Sequence, residues 1–169
     1  MAASSQSVYR DARRAFIAAC EAAHVDPIAR LHPTRGPDGK PLFMDCAALG
    51  PRLATRAVLA IAGDAGGSAI MARALKEPAP LPEDTRLVLV HAPDPAAFAG
   101  VPADPAWPAT MLQAVATEDL SKVKVLGVLP LRAGSLPALP PFPQTKVILL
   151  PPATDSAGVA AALAVIGGN

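Results

Sequence analysis

Three residues able to act together in nucleophilic chemistry stand just beyond two apolar runs. Asp64 and Ser68 follow Ala57–Ala62, and His91 follows Leu87–Val90. A serine, an imidazole and a carboxylate work as a set only within mutual hydrogen-bond reach. Ser68 does not lie in G-x-S-x-G, the strained elbow that exposes a nucleophilic hydroxyl. A small hydrolase or transferase using Asp64, Ser68 and His91 is therefore one reading. The segment Gly63-Asp64-Ala65-Gly66-Gly67-Ser68 offers a second. A glycine turn that leaves a buried strand and opens a helix gathers free N–H groups at the positive helix end, which suits a small anion or nucleotide. It matches neither G-x-G-x-x-G nor the GK[ST] of a P-loop, and an inward-pointing Asp64 would repel phosphate. The plainer alternatives are glycines that let a helix pack tightly on a strand, and a histidine bonded to a nearby loop. The ligand-binding candidates are thus Gly63, Asp64, Gly66, Gly67, Ser68 and His91, with no residue assigned to catalysis and none to a metal.

Other reactive side chains carry less. Cys20 and Cys46 cannot build a disulfide framework and lack Cys/His metal spacing, so they read as reduced, buried thiols. His24 lies near a helix end, where a cation complements the macrodipole. His32 precedes Pro33, and neither has a second histidine or carboxylate at zinc spacing. Trp107 stands alone between prolines; with 4% aromatics there is no base-stacking platform.

The elements that must position these residues are readable in outline. Val8, Ala12, Ala15, Phe16, Ala19, Cys20 and Ala23 recur at helical spacing, with Arg10, Arg13, Arg14 and Glu21 on other faces. Ser5 or Ser7 is expected to cap this helix, and Asp26-Pro27 to stop it. Ile28–His32 and Leu42–Cys46 flank Gly36-Pro37-Asp38-Gly39, a type I turn signal, and read as an antiparallel hairpin. Ala57–Ala62 is a buried strand, Ala69–Lys76 a helix, and Leu87–Val90, Val123–Leu129 and Val147–Leu150 are further strands. Asp155 or Ser156 caps a last Ala-rich helix. The expected fold is a single α/β domain over residues 1–169, with a mixed, mostly parallel sheet of about five to six strands, flanking helices and an N-terminal antiparallel hairpin. Fifteen of 20 prolines lie after Glu77, so Pro78–Pro82, Pro93–Pro108 and Pro130–Pro143 are expected to be rigid loops.

Composition removes several classes. The 169 residues carry 15 Lys+Arg against 14 Asp+Glu, which supplies no general attraction for nucleic acid and no polybasic membrane patch. At 51% hydrophobic residues, disorder of the whole chain is excluded. Charged residues reach only 17%, below the roughly 25% usual in soluble domains, which suggests surface covered by another chain. Ala157–Gly168 is too short to span a bilayer. Met1–Ala23 is amphipathic rather than a signal sequence, and Asp11 and Glu21 argue against a transit peptide, so a cytoplasmic location is expected.

Several pieces together resemble a known family. They are Tyr9-Arg10-Asp11-Ala12-Arg13-Arg14-Ala15-Phe16, His32-Pro33 with Arg35-Gly36-Pro37-Asp38-Gly39, and Leu42-Phe43-Met44-Asp45 through Leu49-Gly50-Pro51. The strand Ala57–Ala62 with its glycine turn and Leu87-Val88-Leu89-Val90-His91-Ala92 with Asp94-Pro95 complete the set. In this order they resemble the start of an uncharacterised bacterial branch of the zinc carboxypeptidase superfamily, whose fold is shared with the succinylglutamate desuccinylases. The resemblance covers residues 1–100, with Pro-rich loops, two strands and a helix following in 101–169. It implies a zinc-binding His-x-x-Glu in the turn after the strand, where this chain has Gly63–Ser68 instead. It implies Asn-Pro where Asp94-Pro95 stands, a later Asn-Arg pair for a substrate carboxylate, and a third zinc ligand, yet no histidine follows His91. The chain is also about half the family's usual length. A catalytic zinc needs three protein ligands and an open position, and without the ion nothing lowers the pKa of its water. The expected function is that of a non-catalytic, metal-free carboxypeptidase-like protein without a cofactor. Its expected partner is another protein or a second copy of itself, in the role of an accessory subunit. The hydrolase and anion-binding readings stand as alternatives.

Overall fold

The structure, a computed structural model, describes residues 4–102, 104–132, 139 and 148–167. The expected proline-rich loop Pro130–Pro143 therefore lies largely outside the described residues. Helix α1 (Ser5–Ala22) leads into the hairpin β1 (Ile28–Arg35) and β2 (Pro41–Leu49). Then come β3 (Arg56–Ala62), α2 (Ala65–Lys76), β4 (Thr85–His91) and two short helices, α3 (Pro95–Ala99) and α4 (Trp107–Ala114). A π-helical turn, Val115–Asp119, precedes β5 (Lys124–Pro130), β6 (Ile148–Leu149) and α5 (Ser156–Gly167).

The six strands form one sheet in the order β1-β2-β4-β3-β5-β6. β1 pairs antiparallel with β2 and β2 with β4, while β3–β4, β3–β5 and β5–β6 are parallel. The expected mixed, mostly parallel sheet with the hairpin at one edge is thus the observed one. Alternation along β3 divides the core. Val58, Ala60 and Ala62 join Phe16, Met71 and Leu163 beneath α1, α2 and α5. Leu59 and Ile61 join Val88, Val90, Trp107 and Leu112 on the other face, where the described cover is α4 and the π turn. Among the described residues no helix is long and apolar enough to cross a membrane.

Four local expectations are corrected. The cap of α1 is Ser4, whose side chain accepts from the Ser7 N–H; Ser5 and Ser7 are already inside the helix. Its buried face is Tyr9, Phe16, Ala19 and Cys20, and Arg13 shares that stripe rather than facing away. α2 begins at Ala65, not Ala69, because Asp64 caps it and draws the glycines into the first turn. Pro93–Pro108 holds one helix, α3, and the start of a second, α4, because Pro95 and Pro108 occupy first-turn positions where a missing N–H costs nothing. At the chain's other end, Asp155 caps α5 through the Gly158 N–H as expected. β6 is described from Ile148, with Val147 outside the described residues.

Candidate functional site

The C-terminal ends of β3, β4 and β5 lie side by side, the place where parallel sheets gather ligands. The Gly63–Ser68 segment leaves β3 there. Asp64 Oδ1 accepts the Gly67 N–H at 2.6 Å, and Ser68 Oγ donates to the Asp64 carbonyl at 2.7 Å. Both polar side chains are thus turned onto their own helix. Gly67 is needed for a close approach, since a Cβ there would stand 2.6 Å from the Leu131 carbonyl oxygen. A Cβ at Gly66 would overlap the guanidinium of Arg132, which crosses the helix start with Nη1 at 3.7 Å from Asp64 Oδ2. Both side chains of this loose pair are about half exposed, at 53% and 51%.

His91 ends β4 but points elsewhere. It is fully buried, stacks on Phe16 at 4.9 Å between ring centroids and faces Asp45 Oδ2 from Nδ1 at 3.7 Å. Asp45 and His91 are register partners across β2 and β4. From α1, Arg13 clamps Asp45 with two bonds of 2.8 Å, Nε to Oδ2 and Nη2 to Oδ1, while its guanidinium lies 4.3 Å from the Phe43 ring centre. Burial pushes the Asp45 carboxyl up, but the His91 ring and the Arg13 guanidinium outweigh it and hold it below the usual carboxylate range. The centre is a buried, bidentate ion pair roofed by α1. Ser68 bonds the Asp64 backbone carbonyl rather than its carboxylate, the Asp64 carboxylate takes the Gly67 N–H and His91 faces Asp45, so the structure shows no hydrogen bond joining the three side chains of the nucleophilic reading.

Neither potential ligand meets the needs of a zinc site. Asp64 has one oxygen on a backbone N–H and the other beside a guanidinium, and His91 is enclosed against Phe16. Among the described residues no three His, Cys, Asp or Glu side chains come together to hold a metal ion. Among the described residues, the side chains at these strand ends do not fit a catalytic zinc.

The remaining candidates are structural. His32 Nδ1 accepts the Thr34 N–H at 3.0 Å, and its ring meets Trp107 edge-on at 4.4 Å. His24 sits past the end of α1 at φ 55° and donates its N–H to the Glu21 carbonyl. Both cysteines are buried thiols outside any disulfide, and burial pushes the Cys20 thiol up to about 11, an unreactive state.

Sequence reasoning missed the Arg13–Asp45 pair. A signal existed: Tyr9, Arg13, Phe16 and Cys20 share one helical stripe, and Asp45 interrupts the apolar run Leu42–Ala47. A charge on each of two buried faces calls for a mutual partner.

Comparison with known proteins agrees with this architecture. Residues 5–101 match the model of a family described as protein of unknown function, DUF2817. No curated protein matches the chain. Among solved structures, glutaminyl cyclase from Macrostomum lignano is similar with a TM-score of 0.50 at 13% identity, over 72% of this chain and 45% of that one. Glutaminyl cyclase from Fimbriiglobus ruber gives 0.49 at 8% identity, over 72% and 52%. The LapA aminopeptidase of Legionella pneumophila gives 0.41 at 16%, over 75% and 36%. At 13% identity the likeness to the Macrostomum lignano protein is one of fold alone, and this chain spans about half or less of the length of these structures.

Proposed function

This chain belongs to the DUF2817 family, and from that premise we propose that it is a metal-free, non-catalytic protein of carboxypeptidase-like fold that works by binding another protein. One observation carries the reading. At the strand ends where a peptidase of this fold would place its ion, Asp64 is spent as a helix cap and the Arg132 guanidinium lies across Gly66. The Arg132 guanidinium, 3.7 Å from the turn's carboxylate, opposes a divalent cation there by direct repulsion. In this reading Gly63, Asp64, Gly66, Gly67 and Ser68 build the strand-to-helix junction, and His91 packs the core. The low charged content, 17%, supports a covered surface. The carboxypeptidase branch is preferred because its pieces run in order from Tyr9 to Pro95.

The activities named for the similar structures supply the test. The purified protein with added zinc is offered an aminoacyl p-nitroanilide and a peptide with N-terminal glutamine. We expect no release of p-nitroaniline and no cyclised product above buffer, and no zinc retained after dialysis. Turnover that Asp64→Ala abolishes would overturn the reading.

A further inference from the structure

The turn between β1 and β2 holds the chain's one Asp-Gly step, Asp38-Gly39. In such a step the following N–H can attack the aspartyl carboxyl, and glycine offers no side chain to hinder the approach. Gly39 stands at φ 72° with open space where a Cβ would be, so the turn is accessible to water. Contacts oppose the attack at both partners. The nucleophile, the Gly39 N–H, donates to the Gly36 carbonyl at 2.9 Å. On the carboxylate, Asp38 Oδ1 accepts the Lys40 N–H at 3.0 Å and Arg10 Nη2 at 3.1 Å. Arg10 reaches the turn from α1, and its Nη1 also donates to the Pro41 carbonyl at 2.8 Å. Desolvation pushes the Asp38 carboxyl up, but the Lys40 N–H and the Arg10 guanidinium outweigh it and hold it below the usual carboxylate range. An ionised carboxylate has no hydroxyl to depart as water, so the contacts that fix this group also keep it unreactive.

We propose that Asp38 is the isoaspartate-forming site of this chain and that Arg10, by fixing its carboxylate, is the residue that guards it. In the reaction the Gly39 nitrogen bonds to Asp38 Cγ while a Cγ–O bond breaks, and the Gly39 amide proton leaves with the carboxyl hydroxyl as water. Water then opens the resulting succinimide. Cleavage between the Gly39 nitrogen and Cγ restores aspartate. Cleavage between that nitrogen and the main-chain carbonyl carbon leaves the chain running through Cγ, one methylene longer. Arg35 and Pro41, register partners in the hairpin, stand on either side of this turn, so the product lodges where β1 and β2 are brought into pairing. The proposal is independent of the protein-binding reading.

Prolonged incubation near neutral pH, followed by peptide mapping that separates isoaspartyl from aspartyl peptides, tests it. In guanidinium chloride, isoaspartate should accumulate at residue 38 before any other position. In the folded wild type that rate should be at least about tenfold lower, since each hydrogen bond that must open adds to the barrier. Arg10→Ala, shown to be folded by circular dichroism, should exceed the wild type at residue 38 by about twofold to fivefold. No rise is expected at Asp155-Ser156 in the same digest, which general loosening of the fold would also accelerate. A parallel rise at both positions overturns the guarding role of Arg10, as do equal rates in Arg10→Ala and wild type. Equal rates in the folded and unfolded wild type, or another position leading in denaturant, overturn the proposal as a whole.

Discussion

Arg13–Asp45 and Arg132–Asp64 join the same two residue types near the same strand ends, yet they differ in every physical respect. The first is bidentate at 2.8 Å, with the carboxylate wholly buried. The second is a single approach of 3.7 Å between half-exposed side chains. A buried charge stripped of its partner is costly, whereas an exposed pair contributes little because water and salt compete for both ends. The comparison teaches that the polar centre of this chain belongs to its fold. The pair at the ligand-gathering edge is free to change with little penalty.

The largest effect should come from Arg13→Ala, which leaves the Asp45 carboxylate sealed without a countercharge. A loss of about 3–5 kcal/mol in urea unfolding is expected. Asp45→Ala should cost about 2 kcal/mol, less because Arg13 is a quarter exposed and can turn its head to water. The reverse order would mean that His91, not Arg13, is the principal partner of Asp45.

Acidity sharpens the same contrast. The folded Asp45 carboxyl titrates below its unfolded range, so its stabilising contribution is complete above about pH 4 and drains as pH falls through the folded value. The gap in unfolding free energy between wild type and Asp45→Asn should therefore be widest near neutrality and close on acidification. A gap independent of pH would show that the charge on Asp45 does not stabilise the fold.

At the strand ends the effects should be smaller. Asp64→Ala removes a helix cap and should cost about 1 kcal/mol. Arg132→Ala should cost less than about 1 kcal/mol, measured by thermal unfolding at matched salt. A larger loss from Arg132→Ala than from Arg13→Ala would invert the comparison and make the strand ends the structural centre.

Much of the fold was legible along the chain, since periodicity and turn chemistry act locally. The run Ala57–Ala62, the Gly36–Gly39 turn and the apolar spacing around Phe16 each announce their element without distant partners. The errors lay where one side chain decides between neighbouring states. Asp64 extends α2 by a turn, and Pro95 and Pro108 open helices as readily as they break them. The glycines at 66 and 67 could have served an anion or tight packing; the Leu131 carbonyl and the Arg132 side chain, both more than sixty positions away, decide for packing.

The sequence by itself determined the alternation of strands and helices, the hairpin and the departure from a zinc-ligand pattern, because these depend on residue identity and near neighbours. Only the tertiary structure decided that Arg13 reaches across 32 positions to Asp45 and that His91 turns under α1. Those outcomes depend on strand order and register, and a one-residue slip in pairing sends every side chain of a strand to the opposite face.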